Sequence, residues 1–343
     1  MTLRLGVLDQ SPIISGHTPQ DALRETLALA RLAERLGYHR YWLAEHHAIA
    51  ALADPCPEIL AARVAAETSR IRVGTGGVLL PYYSPLKVAE IFRMLEALYP
   101  GRIDLGIGRA PGGDMRTAHA LSYGAYFGAE RFPEQVQDLV GFLDGSLGAD
   151  HPYAGVRVQP GGEGAPQVWL LGSSDYSGAL AARLGLRFAF AHFISARASD
   201  IPMRSYKAQY RPSEREPAPV SLLCVFTICA ETTAQAERLA AAIDLRRLHM
   251  AKGIEAPVPT LEEAEAYPWS EIERAYAAQQ RARLVHGDPN TVREKLLRLA
   301  EEAQADELML ITITGDYASR RRSYELLAQA FQLQDRLTAA SAA

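Results

Sequence analysis

Cysteine is nearly missing from this chain: Cys56, Cys224 and Cys229 are the only three in 343 residues. They are widely scattered, sit in apolar surroundings and lack CxxC spacing, which excludes a disulfide framework and points to buried, reduced thiols. No apolar run approaches the roughly eighteen residues that a membrane span requires. Arg4 and Asp9 also interrupt any signal-like apolar core at the amino terminus. Nor does a Pro/Gly/Ser-rich linker or low-complexity tract divide the sequence, so one domain over residues 1–343 is expected. An excess of either charge is absent as well. Lys and Arg number 36 against 40 Asp and Glu, for a net charge of −4, and no basic stripe is available to track nucleic-acid phosphates. Arg320-Arg321-Arg322 is the sole basic run, and a solvated helix face accounts for it. These absences predict a cytoplasmic, soluble protein with neither nucleic acid nor membrane as its partner.

What is present is regular alternation. Strand-like runs occur at Leu3–Leu8, Arg40–Ala44, Ile71–Thr75, Ile103–Ile107, Val168–Leu171, Phe188–Ala191, Val220–Ile228 and Leu308–Ile313, with helical periodicity between them. Eight such units predict a closed parallel (β/α)8 TIM barrel with loop insertions. The first helix is predicted over Pro19–Leu36, opened by Thr18-Pro19-Gln20-Asp21 and closed by Gly37. Two intervals exceed ordinary connections. His151–Gln167 reads as a hairpin or loop excursion, and residues 251–285 as a mobile lid.

A barrel of this kind does its chemistry at the carboxyl ends of its strands. The second strand there runs into Glu45, His46 and His47. Adjacent strand residues face opposite ways, so Trp42, Ala44 and His46 share one face while Leu43, Glu45 and His47 share the other. That parity favours one acid/base histidine over a two-histidine metal clamp, whose ligands would stand at i, i+2. Past the third strand, Gly76-Gly77 would let a flat ligand lie against the main chain, or form an ordinary bulge. Beyond the fourth, Gly106-Ile107-Gly108-Arg109-Ala110-Pro111 fails the dinucleotide fingerprint because Pro111 stands where its third glycine belongs. Arg109 then suits a bidentate anion contact, or a surface pair with Asp114. Gly172, Ser173, Ser174 and Ser177 open a helix, as a phosphate cradle or a helix cap. Tyr82, Tyr83, Tyr123, Tyr126, Phe127, His192 and Phe193 could wall an apolar pocket, or serve as packing and interface residues.

Taken in order, Trp42-Leu43-Ala44-Glu45-His46-His47, Val73 to Pro81, Pro100 to Arg109 and Val168 to Ser174 resemble the bacterial-luciferase-like flavin monooxygenases. The resemblance spans nearly the whole chain and is closest to the family's single-gene, homodimeric branch. It implies a barrel that binds FMN, where reduced flavin and O2 give a C4a-hydroperoxide that oxygenates a small organic substrate, the reduced flavin being supplied by a separate flavin reductase or generated in place. It places His46 in proton transfer and Glu45 beside the cofactor. Gly76-Gly77 falls at a non-prolyl cis peptide against the flavin ring. Arg109, Gly172, Ser173, Ser174 and Ser177 match the phosphate site, with Arg131 as a second arginine. Gly108 stands where luciferase has a reactive cysteine, and Ser173 where it has an acid. Competing readings are an F420- or NAD(P)H-linked oxidoreductase on the same fold, a non-catalytic flavin-binding protein, and a metal-dependent hydrolase using Glu45, His46 and His192.

Overall fold

The computed structural model describes residues 3–124, 128–195 and 199–333. Nine parallel strands form in chain order: β1 (Arg4–Asp9), β2 (Arg40–Leu43), β3 (Arg72–Leu79), β4 (Ile103–Gly108), β5 (Gln167–Gly172), β6 (Arg187–Ala191), β7 (Ser221–Cys229), β8 (Leu284–Gly287) and β9 (Glu307–Ile311). All except β8 pair as one closed ring, in which β7 joins β9 and β9 returns to β1. This is a (β/α)8 barrel, and its eight staves are the eight runs that the alternation predicts. β8 attaches only to Phe226–Cys229, the part of β7 that mostly runs beyond β9. Four residues are too few for a period-two pattern to stand out.

The helices follow local rules. Thr18 and Asp21 make a reciprocal capping box at the start of α1 (Pro19–Leu36), and Gly37 ends it in the left-handed conformation at φ 89°. The expected helices recur as α2 (Pro57–Glu67), α3 (Pro85–Leu98), α5 (Phe132–Asp144), α6 (Asp175–Leu184), α7 (Asp200–Ala208), α8 (Thr233–Ala251), α11 (Pro289–Glu302) and α12 (Tyr317–Ala330). A short α4 (Met115–Leu121) was not foreseen. Residues 151–166 form a loop held in part by Arg93, which donates to the Gly162 carbonyl at 2.6 Å. The 251–285 interval, expected as a lid, carries α9 (Leu261–Ala266), α10 (Glu271–Gln280) and β8, and both helices start with capping boxes. Leu245 and Leu248 of α8 pack on Ala264, Tyr267 and Trp269, and Val258 bridges to Ile14 beyond β1. The interval expected as a lid thus carries two short capped helices that lie on α8.

Two apolar layers result. One fills the space between sheet and helices, with Leu5, Leu29, Val64, Phe92 and Leu310 among its members. The other fills the barrel and its mouth, from Leu8, Trp42, Trp169, Leu222 and Met309 to Ala236, Leu239 and Ile243 of α8. Beneath the inner layer lies a buried charge cluster. Arg40 grips Glu307 through Nε at 2.7 Å and Nη2 at 2.9 Å and also donates to Asp104, which accepts from Arg72 Nε and Trp42 Nε1, each at 2.8 Å. The basic run at 320–322 departs from its expected solvated face. Arg320 is buried, and its guanidinium is bonded to Asp9 at 2.6 Å and the Thr312 carbonyl at 2.8 Å. The three thiols are free; Cys224 and Cys229 are buried and Cys56 is half-buried.

Candidate functional site

At the carboxyl ends of the staves lies a recess of about 490 Å3, within the size range of small-molecule sites. His46, Glu45, Gly76, Gly77, Arg109, Gly172, Ser173, Ser174 and Ser177 all line it. Arg131 does not. It is exposed outside the recess, with Nε 3.7 Å from Glu134.

The alternation beyond Trp42 sorts the two histidines. His47 Nε2 lies 2.8 Å from Glu45 Oε1, which also accepts from the Tyr83 hydroxyl at 2.7 Å, while Glu45 Oε2 accepts from the Leu79 amide at 2.8 Å. Both Glu45 oxygens are thus engaged, and the residue braces the end of β2 against the end of β3. His46 faces the recess with Trp42 and Ala44. Its amide donates to the Asp54 carbonyl at 3.1 Å, and Nδ1 has no hydrogen-bond partner among the described residues. Burial pushes its imidazole down to about 4 against the opposing Ala44 carbonyl, with Arg246 and His47 assisting. His46 is accordingly neutral at pH 7 and able to take a proton.

The β3 wall is bare main chain. The Gly76–Gly77 peptide is cis, and the β3–β4 register shifts there. A Cβ on Gly76 would stand 2.8 Å from Leu8 Cδ1, and one on Gly77 would stand 2.6 Å from the Gly106 carbonyl oxygen. The obstacle is backbone at Gly77 and the end of the Leu8 side chain at Gly76, so packing demands glycine most strictly at 77.

Across from it, β5 delivers the serines to the start of α6. Ser174 is the N-cap in extended conformation, yet its side chain makes no capping bond. The first-turn amides and that hydroxyl are left to meet an anion. Gly172 is needed because a Cβ there would come 2.3 Å from Ser177 Oγ. Arg109 lies over the Tyr176 ring at 4.3 Å, which holds a guanidinium beside the same helix start. The competing Arg109–Asp114 pair is not among the ion pairs, since Asp114 caps α4 by accepting from the Thr117 amide at 2.7 Å.

The aromatic wall is thinner than expected. Of the seven candidates, Phe193 lines the recess; Tyr82 and Tyr83 pack beside Glu45, His192 is buried, and Tyr123 is 98% exposed. Tyr126 and Phe127 lie outside the described residues. Among the described residues, no group of three or more His, Cys, Asp or Glu could hold a metal ion.

Two residues near His46 escape sequence reasoning. Burial pushes the Asp54 carboxyl up to about 7 against the opposing Cys56 amide, and its Oδ2 is buried without a partner. Arg246 of α8 acts electrostatically on His46. A signal for the second existed, because Arg246 continues the Leu239–Ile243 stripe where an apolar residue belongs.

Among the described residues no helix is long and apolar enough to cross a membrane. The luciferase-like monooxygenase family matches residues 3–307. The chain is 44% identical to YceB of Bacillus subtilis (strain 168), over 96% of this chain and 99% of that one. It is 36% identical to the N-acetyl-S-alkylcysteine monooxygenase of the same organism, over 96% and 98%. Among solved structures, apo-MsnO8 superposes with a TM-score of 0.89 at 42% identity, covering 96% and 99%. The FMN complex of the oxygenating constituent of 3,6-diketocamphane monooxygenase from Pseudomonas putida shares the fold, with a TM-score of 0.71 at 19% identity, covering 96% and 98%. The strand-end motifs, the closed barrel and these matches agree, and the chain belongs to the luciferase-like monooxygenase family.

Proposed function

We propose that the protein is an FMN-dependent monooxygenase that uses reduced FMN and O2 to oxygenate a small organic substrate. One juxtaposition carries the reading. An anion-suited corner, a bare main-chain wall and a neutral imidazole with an unpartnered Nδ1 share one recess. The uncommitted Ser174 side chain fits a phosphate, and the absence of Cβ atoms at Gly76 and Gly77 fits an aromatic ring system. Arg109, Ser173, Ser174, Ser177 and the α6 amides would hold the phosphate, and Gly172 lets Ser177 approach. When bound and reduced, FMN would supply the electrons that activate O2, with one oxygen atom entering the substrate and the other leaving as water. His46 would accept or return a proton at Nδ1, and Glu45 would keep the β2 and β3 ends in register around it.

The description of the Pseudomonas relative as an oxygenating constituent supports a separate flavin reductase as partner. Exposed Ile59 on α2 and Met94 and Leu98 on α3 support a homodimer through these helices. Titration of FMN and reduced FMN into purified protein tests the reading. Arg109→Ala is expected to weaken binding on the order of 10- to 100-fold, as loss of a charge-assisted contact does. The reading fails if neither form binds, if F420 binds in place of FMN, or if Arg109→Ala leaves affinity unchanged.

A further inference from the structure

A second cation, Arg246 of α8, acts on His46 and is left over by the proposed chemistry. On α8, Ala236, Leu239, Ala240 and Ile243 pack into the cluster that holds Leu8, Trp42 and Ala44. Helical spacing carries this stripe on to Arg246, so a charged side chain occupies the place where the helix should send another apolar residue toward the barrel mouth. Two neighbouring arginines have partners. Arg281 is paired with Asp244 at 2.6 Å, and Arg247 donates to the Gln280 carbonyl at 2.9 Å and lies over Phe226 at 5.4 Å. For Arg246 no ion pair is formed among the described residues, and its Nε is buried without an acceptor. The groups that act on it are cationic or neutral, namely Arg247 and His46, and strong desolvation holds it down at about 10. The residue is nevertheless only partly covered. Deep desolvation and partial access together describe a side chain in a cleft, and an uncompensated charge there is costly unless a ligand completes it.

We propose that Arg246 is the receptor for an anionic group, a carboxylate, on the organic substrate, so that the apolar remainder is laid into the recess beside His46. The inference deepens the monooxygenase reading by naming a substrate class for the same site. It predicts small, amphipathic organic acids as preferred occupants, with the carboxylate at α8 and an apolar chain among Leu8, Cys224 and Met309. Arg supports this role better than Lys would, because its planar fork meets both carboxylate oxygens.

Flavin-free protein is sufficient for the test. Straight-chain carboxylates from butanoate to decanoate and their primary amides are titrated by calorimetry into wild type, Arg246→Met and Arg246→Lys, each checked for native circular dichroism. Wild type is expected to favour the best-bound acid over its amide by roughly 10- to 100-fold, the scale of a charge-assisted hydrogen bond. Arg246→Met should erase that preference while leaving amide affinity within a few-fold, and Arg246→Lys should retain part of it. Equal binding of acid and amide by wild type, no saturable binding of any acid, or an intact preference in Arg246→Met would overturn the proposal. FMN titrated in parallel separates the two readings. Loss of the acid preference with unchanged FMN affinity supports the receptor, whereas failure of wild type to bind FMN would remove the flavin reading and leave the acid preference to be judged on its own.

Discussion

The two ends of the barrel treat charge in opposite ways. At the floor, four charged side chains are closed upon one another: both Glu307 oxygens meet Arg40, and Asp104 receives Arg40, Arg72 and Trp42. Burial alone would raise Asp104, but Arg40 and Arg72 hold it below the usual carboxylate range. At the mouth, His46 Nδ1, Asp54 Oδ2, His192 Nδ1 and Arg246 Nε are buried with no partner among the described residues. Natural proteins rarely leave such groups orphaned, and each exception calls for a reason. These four of the eleven such atoms lie toward the end of the barrel where catalysis occurs in this architecture, while others, Trp169 Nε1 among them, lie elsewhere. The charges of the floor are paired within the protein; these four atoms of the mouth are not.

This contrast can be broken at its strongest point first. Arg40→Met would strand Asp104 and Glu307 in the barrel interior, and removing one partner of a buried network costs about 3–5 kcal/mol. A fall of that size in urea-derived stability is expected, and a loss below about 1 kcal/mol would show that the floor is not what holds the staves. His46→Gln should do the reverse. It should lower turnover by roughly 10²- to 10⁴-fold, as loss of a general acid/base does, while stability changes by less than about 1 kcal/mol, the range for groups without native partners. Full turnover would remove His46 from the chemistry. Between these extremes falls Glu45→Gln. Its carboxylate receives the Leu79 amide, the Tyr83 hydroxyl and His47, so about 1–3 kcal/mol of stability should go with it. Unchanged melting would deny it the bracing role.

Much of this was legible in the sequence, for reasons that also explain the gaps. Apolar runs at regular spacing give the eight staves, and Thr18, Pro19 and Gly37 delimit α1 to the residue because caps are local chemistry. Alternation carried past the end of β2 separates His46, which lines the recess, from His47, which turns to Glu45. The parts that escaped depend on partners distant in sequence. Arg320 is buried by Asp9, more than three hundred positions away, and nothing in a three-arginine run announces that pairing. Arg246 continues an apolar stripe of α8, and its electrostatic reach to His46 shows only in the fold. Arg131, which the family resemblance offers as a second phosphate arginine, stands exposed outside the recess beside Glu134.

The smallest expected effect compares the two ends of a single strand. His39 precedes β2 beside the floor and His46 follows it at the mouth, and burial pushes both down to about 4, with Arg40 assisting for His39 and Arg246 for His46. Unfolded, each would titrate near 6.5. Above that value neither state carries the proton and the histidines cost nothing. As pH falls below it, the unfolded chain gains protons that the native state refuses, so stability declines until the folded values are reached near pH 4. The share from each histidine is on the order of 1–3 kcal/mol after allowance for partial exposure. His39→Leu and His46→Leu should therefore each flatten the decline measured by urea titration between pH 6.5 and 4, and by similar amounts. Only His46→Leu should also abolish turnover at pH 7.5. If His46→Leu left the acid slope intact, its imidazole would be free to charge in the folded protein, and its assignment as the neutral proton acceptor of the mouth would fall with it.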